Sequence, residues 1–440
     1  MSASSFHIRQ TVWLAAPIIV AQVGHIVTGM VDNMFLGKFF GETEQAAGIL
    51  SNQLFTLLLV FEIGVSFAIT PLVSYAKVQL DDAEKSGLLK NSLVTLLALS
   101  VFLFAVLFFS TPVLNYLGQP EEVVELAIPF FRVLILSIIP VSVFFVCKQY
   151  AEGLGLTSPS MYISIIGNFF NIVLNYCLIK GIAFFPALGY MGSCWATFFA
   201  RMLMGVLFVV CIFQSKKMHP GTEFRKVKVQ WIKVRRILVN GLGSGSQFVF
   251  EVAAFVICGL MCGVFGKQSI DAHGIAIGIA AFTYMFANGI SGAATIRASE
   301  YFGSGDKKEL RVAGNTAFIL VFYCMLFFAF LLFILRNFLP TAFTDSNEVA
   351  NMSSNLLLFA AFFQLFDGIQ VTALGILRGM EDVRYPTAVT FIGYWLIAIP
   401  LAWLLAFRLD LKVYGVWMAL SISLMFVAFN LYFRFRKLTK

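Results

Sequence analysis

The chain has 440 residues, of which 59% are hydrophobic and only 12% are charged, and its mean hydropathy is +0.86. Water-soluble globular proteins carry about 25% charged residues and about 45–50% apolar ones, so the composition excludes that class and indicates a polytopic membrane protein. The net charge of +8 also occurs in nucleic-acid-binding proteins. Here, however, the basic residues lie in short segments between long apolar runs, which argues against nucleic acid and for the lipid bilayer as partner.

Apolar runs that meet or nearly meet the length of a membrane-spanning helix, roughly 20 residues, recur along the whole chain. They lie at residues 11–36, 48–76, 92–112, 123–147, 160–179, 187–213, 237–264, 272–296, 312–335, 355–372, 386–406 and 413–432. We therefore predict an all-α polytopic membrane protein with twelve transmembrane helices. The first run is too long for a cleaved signal peptide and contains Asp32, so we expect it to be retained.

The basic residues are divided unevenly between the two sets of alternating loops. If the N-terminus is inside, 23 of the 31 Lys and Arg residues fall on the inner side and 6 on the outer side, while Arg132 and Arg201 lie within helices. Cytoplasmic loops of membrane proteins carry the excess of Lys and Arg. We predict that both termini are cytoplasmic and that the protein lies in the cell's inner (plasma) membrane.

The two halves of the chain repeat each other. Residues 61–70 and 286–295 share five identities in ten positions at an offset of 225, and Gly153 and Gly379 follow at 226. Six spans in each half make the repeat parallel, with the substrate path expected between the halves. We predict an N-lobe at residues 1–214, a cytoplasmic linker at 215–236 and a C-lobe at 237–440, related by pseudo-symmetry.

Two acidic residues, Glu251 and Asp367, lie near the middle of apolar runs. A carboxylate at the bilayer centre is costly and marks a functional site by default. Since the two runs enter the membrane from opposite sides, both acids can face one cavity at similar depth. Such a pair can hold a proton and release it to an arriving organic cation or sodium ion, which is antiport chemistry. The alternative is that each acid is satisfied by a local hydroxyl or amide and only packs.

A third acid, Asp32, lies toward the end of the first run, and its carboxylate can form a cation site together with uncharged oxygen ligands. Asn171 and Asn175 are one helical turn apart and face the same way, and Thr197 lies in the next run. One carboxylate with neutral oxygens suits a hard cation such as Na⁺. The alternative is ordinary hydrogen bonding between helices.

Three further polar residues within the spans have uncertain roles. Glu62 lies in the middle of the second run, and Ala287 occupies its place in the other half. Arg201 is a candidate ion-pair partner for Glu62, and we favour a structural pair over a transport role. Gln22 is a polar residue of the first run.

Several function classes lack their sequence signatures. The chain has no G-x-x-x-x-G-K-[ST], H-E-x-x-H or G-x-S-x-G motif, and its four His residues are widely separated. None of the seven Cys forms a C-x-x-C pair, which gives no indication of a zinc site. We therefore predict neither an enzyme nor an ATP-driven pump, and no cofactor beyond the coupling ion, Na⁺ or H⁺. A membrane-embedded enzyme would need a clustered catalytic set, and a sensor a sizeable soluble module.

Short motifs along nearly the whole chain give it a family resemblance. They are Pro17 with Gln22, Val31-Asp32 and Gly37; residues 152–159 (EGLGLTSP) and 171–175 (NIVLN); Gly189, Gly192 and Ala196-Thr197; Glu251 in FVFEVAAF; and residues 293–297 (AATIR), 363–367 (FQLFD) and 377–379 (LRG) with Asp382. With these residues the chain resembles the MATE (multidrug and toxic compound extrusion) transporters of the NorM-like bacterial branch.

The resemblance implies a MATE/MOP-type fold of two six-helix lobes that exports cationic aromatic drugs against inward sodium or protons. It implies that Glu251 and Asp367 form a C-lobe coupling site and that Asp32, Asn171 and Thr197 form an N-lobe cation site. Position 175 is Asn where some family members carry Asp. We predict a monomeric antiporter for organic cations; the alternative is a flippase for a lipid-linked precursor, which would need basic residues to meet phosphate.

Overall fold

Helices make up the regular secondary structure of the described part of the chain. The computed structural model describes residues 3–116, 118–182, 185–221 and 223–440, without the side chains of 3–5, 33, 223 and 225. Over these residues, twelve helices are long and apolar enough to cross a membrane. They are α1 (Ala3–Phe39), α2 (Glu42–Val78), α3 (Asp82–Tyr116), α4 (Glu121–Gly153), α5 (Ser158–Lys180), α6 (Met191–Gln214), α7 (Trp231–Gly263), α8 (Lys267–Gly303), α9 (Lys307–Leu335), α10 (Asn347–Gly379), α11 (Arg384–Arg408) and α12 (Lys412–Leu438). The predicted all-α fold with twelve spans is confirmed.

Most helices extend beyond the apolar runs into polar residues, and α3 and α9 begin at aspartate N-caps. The Asp81 side chain accepts a hydrogen bond from the Glu84 amide at 2.7 Å and starts α3. Asp306 accepts from the Glu309 amide at 2.9 Å and starts α9 in the same way. An N-cap carboxylate satisfies an amide that the helix itself cannot pair. The two caps lie 225 residues apart, so the internal repeat extends to the helix starts.

Several helices are interrupted within their length. α2 breaks at Phe67 and Ala68, and α4 breaks at Ser137, shortly before Pro140. Proline removes an amide donor and its ring crowds the preceding turn, which favours such a break. α11 instead contains two π-helical segments, Ile392–Ala398 and Leu404–Arg408.

The chain divides into two compact units, and the first of them is Val20–Gly245. Its core is a cluster of buried apolar side chains from α2, α3, α4 and α6. The start of α7 lies directly on α2, since a Cβ added to Gly241 would stand 2.9 Å from the Val65 carbonyl oxygen and one on Gly245 would stand 2.9 Å from that of Phe61. Glycine at these positions permits this close approach of two helices.

The second unit is Met1–Ile19 together with Ser246–Lys440. In it the start of α1 lies on α8, where a Cβ on Gly289 would stand 3.0 Å from the Ile19 backbone nitrogen. The buried Arg297 of α8 donates hydrogen bonds to the His7 carbonyl (3.0 Å) and to the Thr11 hydroxyl (2.8 Å). His7 also pairs with Glu309 of α9 at 2.9 Å. These bonds hold the first turns of α1 in this unit.

The boundaries of the compact units fall inside α1 and α7. The start of α1 belongs to the unit that contains Ser246–Lys440, and the start of α7 belongs to the unit Val20–Gly245. The sequence between α6 and α7 belongs to the unit Val20–Gly245 and is held on α3, where Lys90 donates to the Val227 carbonyl at 2.6 Å. In the first turn of α7, Lys233 pairs with Glu84 of α3 at 2.5 Å. The division into lobes at 1–214 and 237–440 follows chain order and stays a prediction.

Candidate functional site

Glu251 of α7 and Asp367 of α10 are both buried and close together in the unit that contains Ser246–Lys440. Their exposed fractions are 9% and 8%. The two carboxyl groups lie within electrostatic range of each other, and the Tyr394 hydroxyl is hydrogen-bonded to Glu251. Asp367 Oδ1 has no hydrogen-bond partner among the described residues. The structure therefore brings the two sequence-predicted acids together and leaves one of their oxygens unsatisfied.

Tyr394 and Gln370 complete this site and were not singled out by the sequence. The Gln370 amide donates to the Tyr394 hydroxyl at 2.6 Å, and both side chains are fully buried. Gln370 lies three residues after Asp367 on the same helix face, a spacing that could have identified it. Tyr394 lies in the π-helical segment Ile392–Ala398, for which the sequence gives no signal, although such segments are frequent at functional sites.

Tyr284 of α8 lies near the acidic pair, and Arg378 lies farther along α10. Tyr284 is within electrostatic range of Glu251, of Asp367 and of Arg378. The Arg378 guanidinium also stands 5.7 Å from the ring centroid of Phe248. The acids are thus bordered by aromatic side chains, whose faces attract cations.

The chemistry of this pair follows from its charge. Two carboxylates in an apolar interior repel each other, and removing each from water costs several kcal/mol unless a proton or a cation compensates. A proton, a metal ion and an organic cation compete for the same negative charge, so one bound cation can be exchanged for another at this site. A carboxylate pair of this kind can therefore couple the movement of two cations.

A second polar cluster in the unit Val20–Gly245 contains Asp32, Asn171, Asn175 and Thr197. Asn175 donates to Asp32 Oδ1 at 2.6 Å and Thr197 donates to Asp32 Oδ2 at 3.4 Å. Asn171 donates to the Thr197 hydroxyl at 3.2 Å. The structure therefore brings together all four residues that the sequence grouped here.

The amide oxygens of this cluster are available as ligands. Asn171 Oδ1 and Asn175 Oδ1 are buried without a hydrogen-bond partner among the described residues. Ser193, which has no distinguishing signal in the sequence, adds a hydroxyl that accepts from Asn175 at 3.3 Å. One carboxylate with amide and hydroxyl oxygens is a donor set for a hard cation such as Na⁺. Asp32 is the one carboxylate of the set, and the Arg201 guanidinium lies within electrostatic range of it.

Glu62 and Arg201 lie in the same unit but have separate partners. Glu62 Oε1 accepts hydrogen bonds from the hydroxyls of Ser100 (2.6 Å) and Ser142. Arg201 donates to the Ser137 hydroxyl at 2.5 Å, and its guanidinium lies 4.5 Å from the Phe55 ring centroid. The structure thus places hydroxyls, and not Arg201, in contact with Glu62. Gln22 is half-buried on α1.

Comparison with known proteins gives the same family over both halves. The sequence profile of the MatE family matches residues 17–177 and again 244–404, so the second match begins 227 residues after the first. This double match agrees with the internal repeat found in the sequence.

Curated relatives align over nearly the full chain. The protein named "Probable multidrug resistance protein NorM" of Pseudomonas putida is 31% identical over 98% of this chain and 95% of its own length. Its namesake from Pseudomonas aeruginosa is 31% identical over 98% of this chain and 89% of its own length. A third, from Rhizobium meliloti, is 29% identical over 99% and 94%.

Solved structures show the same fold. The eukaryotic MATE transporter AtDTX14 superposes with a TM-score of 0.89 at 18% identity, over 98% of this chain and 96% of that chain. An aspartate-to-asparagine mutant of the Vibrio cholerae MATE transporter VcmN gives a TM-score of 0.89 at 14% identity, over 99% and 98%. The chain belongs to the MatE family and resembles its NorM-like members, as predicted; it is a multi-pass membrane transporter and not an enzyme.

Proposed function

We propose that the chain is a secondary antiporter that exports organic cations, multiple drugs among them, in exchange for inward Na⁺ or H⁺. The observation that carries the proposal is the buried pair Glu251 and Asp367 with its unsatisfied oxygen. The names of the relatives, which describe multidrug resistance, support the substrate class. No cofactor beyond the coupling ion enters the proposal.

The exchange follows from competition for the two carboxylates. A coupling ion compensates their charge when no drug is bound, and an organic cation displaces it. An inward ion gains roughly 2.3 kcal/mol per unit charge per 100 mV of membrane potential, to which its concentration gradient adds. Moving a monovalent organic cation outward costs the same electrical free energy, so a one-for-one exchange is driven by the concentration gradient of the coupling ion.

Asp32 with Asn171, Asn175 and Thr197 forms a second cation-binding site in this proposal. The unpartnered amide oxygens support binding of an ion there, since a cation would satisfy them. Asp32 is the negative charge of the cluster, so we expect it to determine whether the cation binds.

The orientation in the membrane belongs to the proposal as well. With both termini in the cytoplasm of the cell and the chain in its inner membrane, 23 of the 31 basic residues lie on the cytoplasmic side. We propose a monomer as the transporting unit, since a single chain contains both acidic clusters. The flippase alternative is not favoured, because a phosphate group would be repelled by Glu251 and Asp367.

Efflux of ethidium from energised, drug-sensitive cells tests this function. We expect the parent to export ethidium and the variants Glu251→Gln and Asp367→Asn to lose export at unchanged expression. Asp345→Asn, which removes an acid from an exposed loop, is the matched control and should export normally. Collapsing the sodium and proton gradients in turn identifies the coupling ion. Absence of export by the parent, or export indifferent to both acids, would contradict the proposal.

A further inference from the structure

Glu62 of α2 is a fully buried acid that the two clusters above do not use. Its side chain has no exposed surface, and it lies among α3, α4 and α6 of the unit Val20–Gly245. Ionised carboxylates are almost never buried to this degree unless a cation or several hydrogen bonds compensate the charge. The groups around Glu62 therefore indicate whether its carboxyl group is ionised or protonated.

The oxygen–oxygen contacts around Glu62 need more hydrogens than the neighbouring hydroxyl groups provide. Glu62 Oε1, Ser100 Oγ and Ser142 Oγ are all in mutual contact, and Ser100 Oγ also contacts the Leu96 carbonyl at 2.6 Å. These four contacts have only two hydroxyl hydrogens between them, because each serine provides one. A proton on Oε1 of the carboxyl group would supply a third hydrogen.

The second oxygen of Glu62 lacks a partner among the residues that the structure describes. Oε2 is buried and has no hydrogen bond to a described residue. An unsatisfied buried acceptor is destabilising, and more so when it carries charge. With the proton on Oε1, Oε2 is the carbonyl oxygen of a neutral acid, which removes the charge from the unsatisfied acceptor.

The positive groups that face this region are engaged elsewhere. Arg201 of α6 donates to Ser137 and stacks on Phe55. Lys148 of α4 lies 3.8 Å from Glu152, and His25 of α1 lies within electrostatic range of Lys148 and Arg201. No described ion pair includes Glu62, although Arg201 acts on it from a distance. Within the described part of the chain, no side-chain cation directly neutralises Glu62.

We propose that Glu62 is a further proton-binding site of this transporter, separate from the Asp32 cluster and from the Glu251–Asp367 pair. The Ser100–Glu62 separation of 2.6 Å is that of a hydrogen bond and leaves no room for a metal ion between the two oxygens. In the binding step the carboxylate takes one proton from water and becomes a neutral acid, and in release it returns the proton to water. The inference rests on the proposed antiport, in which it adds a proton to the ions that bind during the cycle.

Infrared difference spectroscopy of the purified full chain in detergent tests the site. We expect the parent to show a C=O stretching band of a buried protonated carboxyl group that disappears on titration to alkaline pH and decreases when ethidium is added. Glu62→Gln should remove this band, whereas Glu121→Gln, which alters an exposed acid at the start of α4, should retain it. An unchanged band in Glu62→Gln, or a band that responds neither to pH nor to ethidium, would overturn the proposal.

A second variant keeps the test valid if Glu62→Gln does not fold. Ser142→Ala retains the carboxyl group but removes a hydrogen-bond donor, so the band should remain and shift to higher frequency; a band that neither moves nor weakens would contradict the assignment. Ethidium efflux separates this inference from the proposed function. If efflux by the parent requires Glu251 and Asp367 but the C=O band does not change with pH, only the proposed role of Glu62 is overturned.

Discussion

Tyr394 provides a hydrogen bond to Glu251 and is itself held by Gln370, so it positions one carboxylate of the buried acidic pair. Tyr394→Phe removes the hydroxyl and retains the ring. A hydrogen bond to a charged group contributes about 1.5–3 kcal/mol, which corresponds to roughly tenfold or more in rate or affinity. We expect the initial rate of ethidium efflux to fall by about this factor, without the complete loss expected for Glu251→Gln.

Tyr414→Phe is the matched control for this variant. The Tyr414 hydroxyl has a 3.5 Å contact with the exposed Asn355, so its removal should leave efflux unchanged. Equal efflux in Tyr394→Phe and the parent would show that Glu251 does not depend on the hydroxyl.

Asn175 is the nearest donor to Asp32, at 2.6 Å. In Asn175→Ala both this bond and a candidate ion ligand are lost, so the coupling-ion concentration that gives half-maximal efflux should rise about tenfold or more. Proteoliposomes loaded with ethidium and titrated with Na⁺ or H⁺ measure it. Asn351→Ala, at an exposed position near the start of α10, controls for removal of an amide. If Asn175→Ala and Asp32→Asn both leave the half-maximal concentration unchanged, the cluster does not bind the coupling ion.

The residues that the sequence could identify are those whose charge contrasts with their surroundings. Glu251, Asp367 and Asp32 stand out because each interrupts an apolar run. Tyr394 and Ser193 could not be found in this way, since Tyr and Ser are common in membrane helices and their partners come from other helices. The contacts of Glu62 with Ser100 and Ser142 likewise depend on packing between helices, which the sequence does not display.

At the scale of elements, the contact between α7 and α2 depends on the small size of Gly245. Gly245→Ala would place a Cβ 2.9 Å from the Phe61 carbonyl oxygen, and since the neighbour is backbone, the helices must separate. Overpacking of this kind costs typically about 1–3 kcal/mol. We expect a lower melting temperature of the detergent-solubilised protein, measured by size-exclusion chromatography after heating.

Gly274→Ala controls for helix propensity. No atom lies within 4 Å of a Cβ built at Gly274 of α8, and alanine is more favourable than glycine inside a helix by about 0.5–1 kcal/mol. This variant should melt at or slightly above the parent temperature. Equal melting temperatures of Gly245→Ala and Gly274→Ala would contradict the close α7–α2 contact.

The spans were predictable from hydropathy, whereas their ends and their partners were not. Residues 92–112 gave the apolar part of α3, but the helix begins at Asp82 because Asp81 caps a polar first turn. The π-helical segments of α11 were hidden because their apolar composition matches that of an ordinary span. The unit boundaries inside α1 and α7 follow from which helix each segment contacts, and this is a property of packing.

At the scale of the whole molecule, the distribution of basic residues predicts the orientation. Green fluorescent protein fused after Lys440 should be fluorescent, and alkaline phosphatase fused at the same position should be inactive, because the C-terminus is expected in the cytoplasm. A phosphatase inserted at Asp345, between α9 and α10, should be active, and it serves as the opposite control. Reversed activities at the two positions would contradict the proposed orientation.

Export driven by cation exchange at Glu251 and Asp367 can be measured with purified protein in proteoliposomes. An imposed Na⁺ or H⁺ gradient should drive ethidium in the opposite direction, and the flux of the coupling ion should rise when ethidium is present. Both fluxes should be lost together in Glu251→Gln and in Asp367→Asn, with Asp345→Asn as control. Ethidium movement that needs no ion gradient, or coupled fluxes that persist in both variants, would contradict the account.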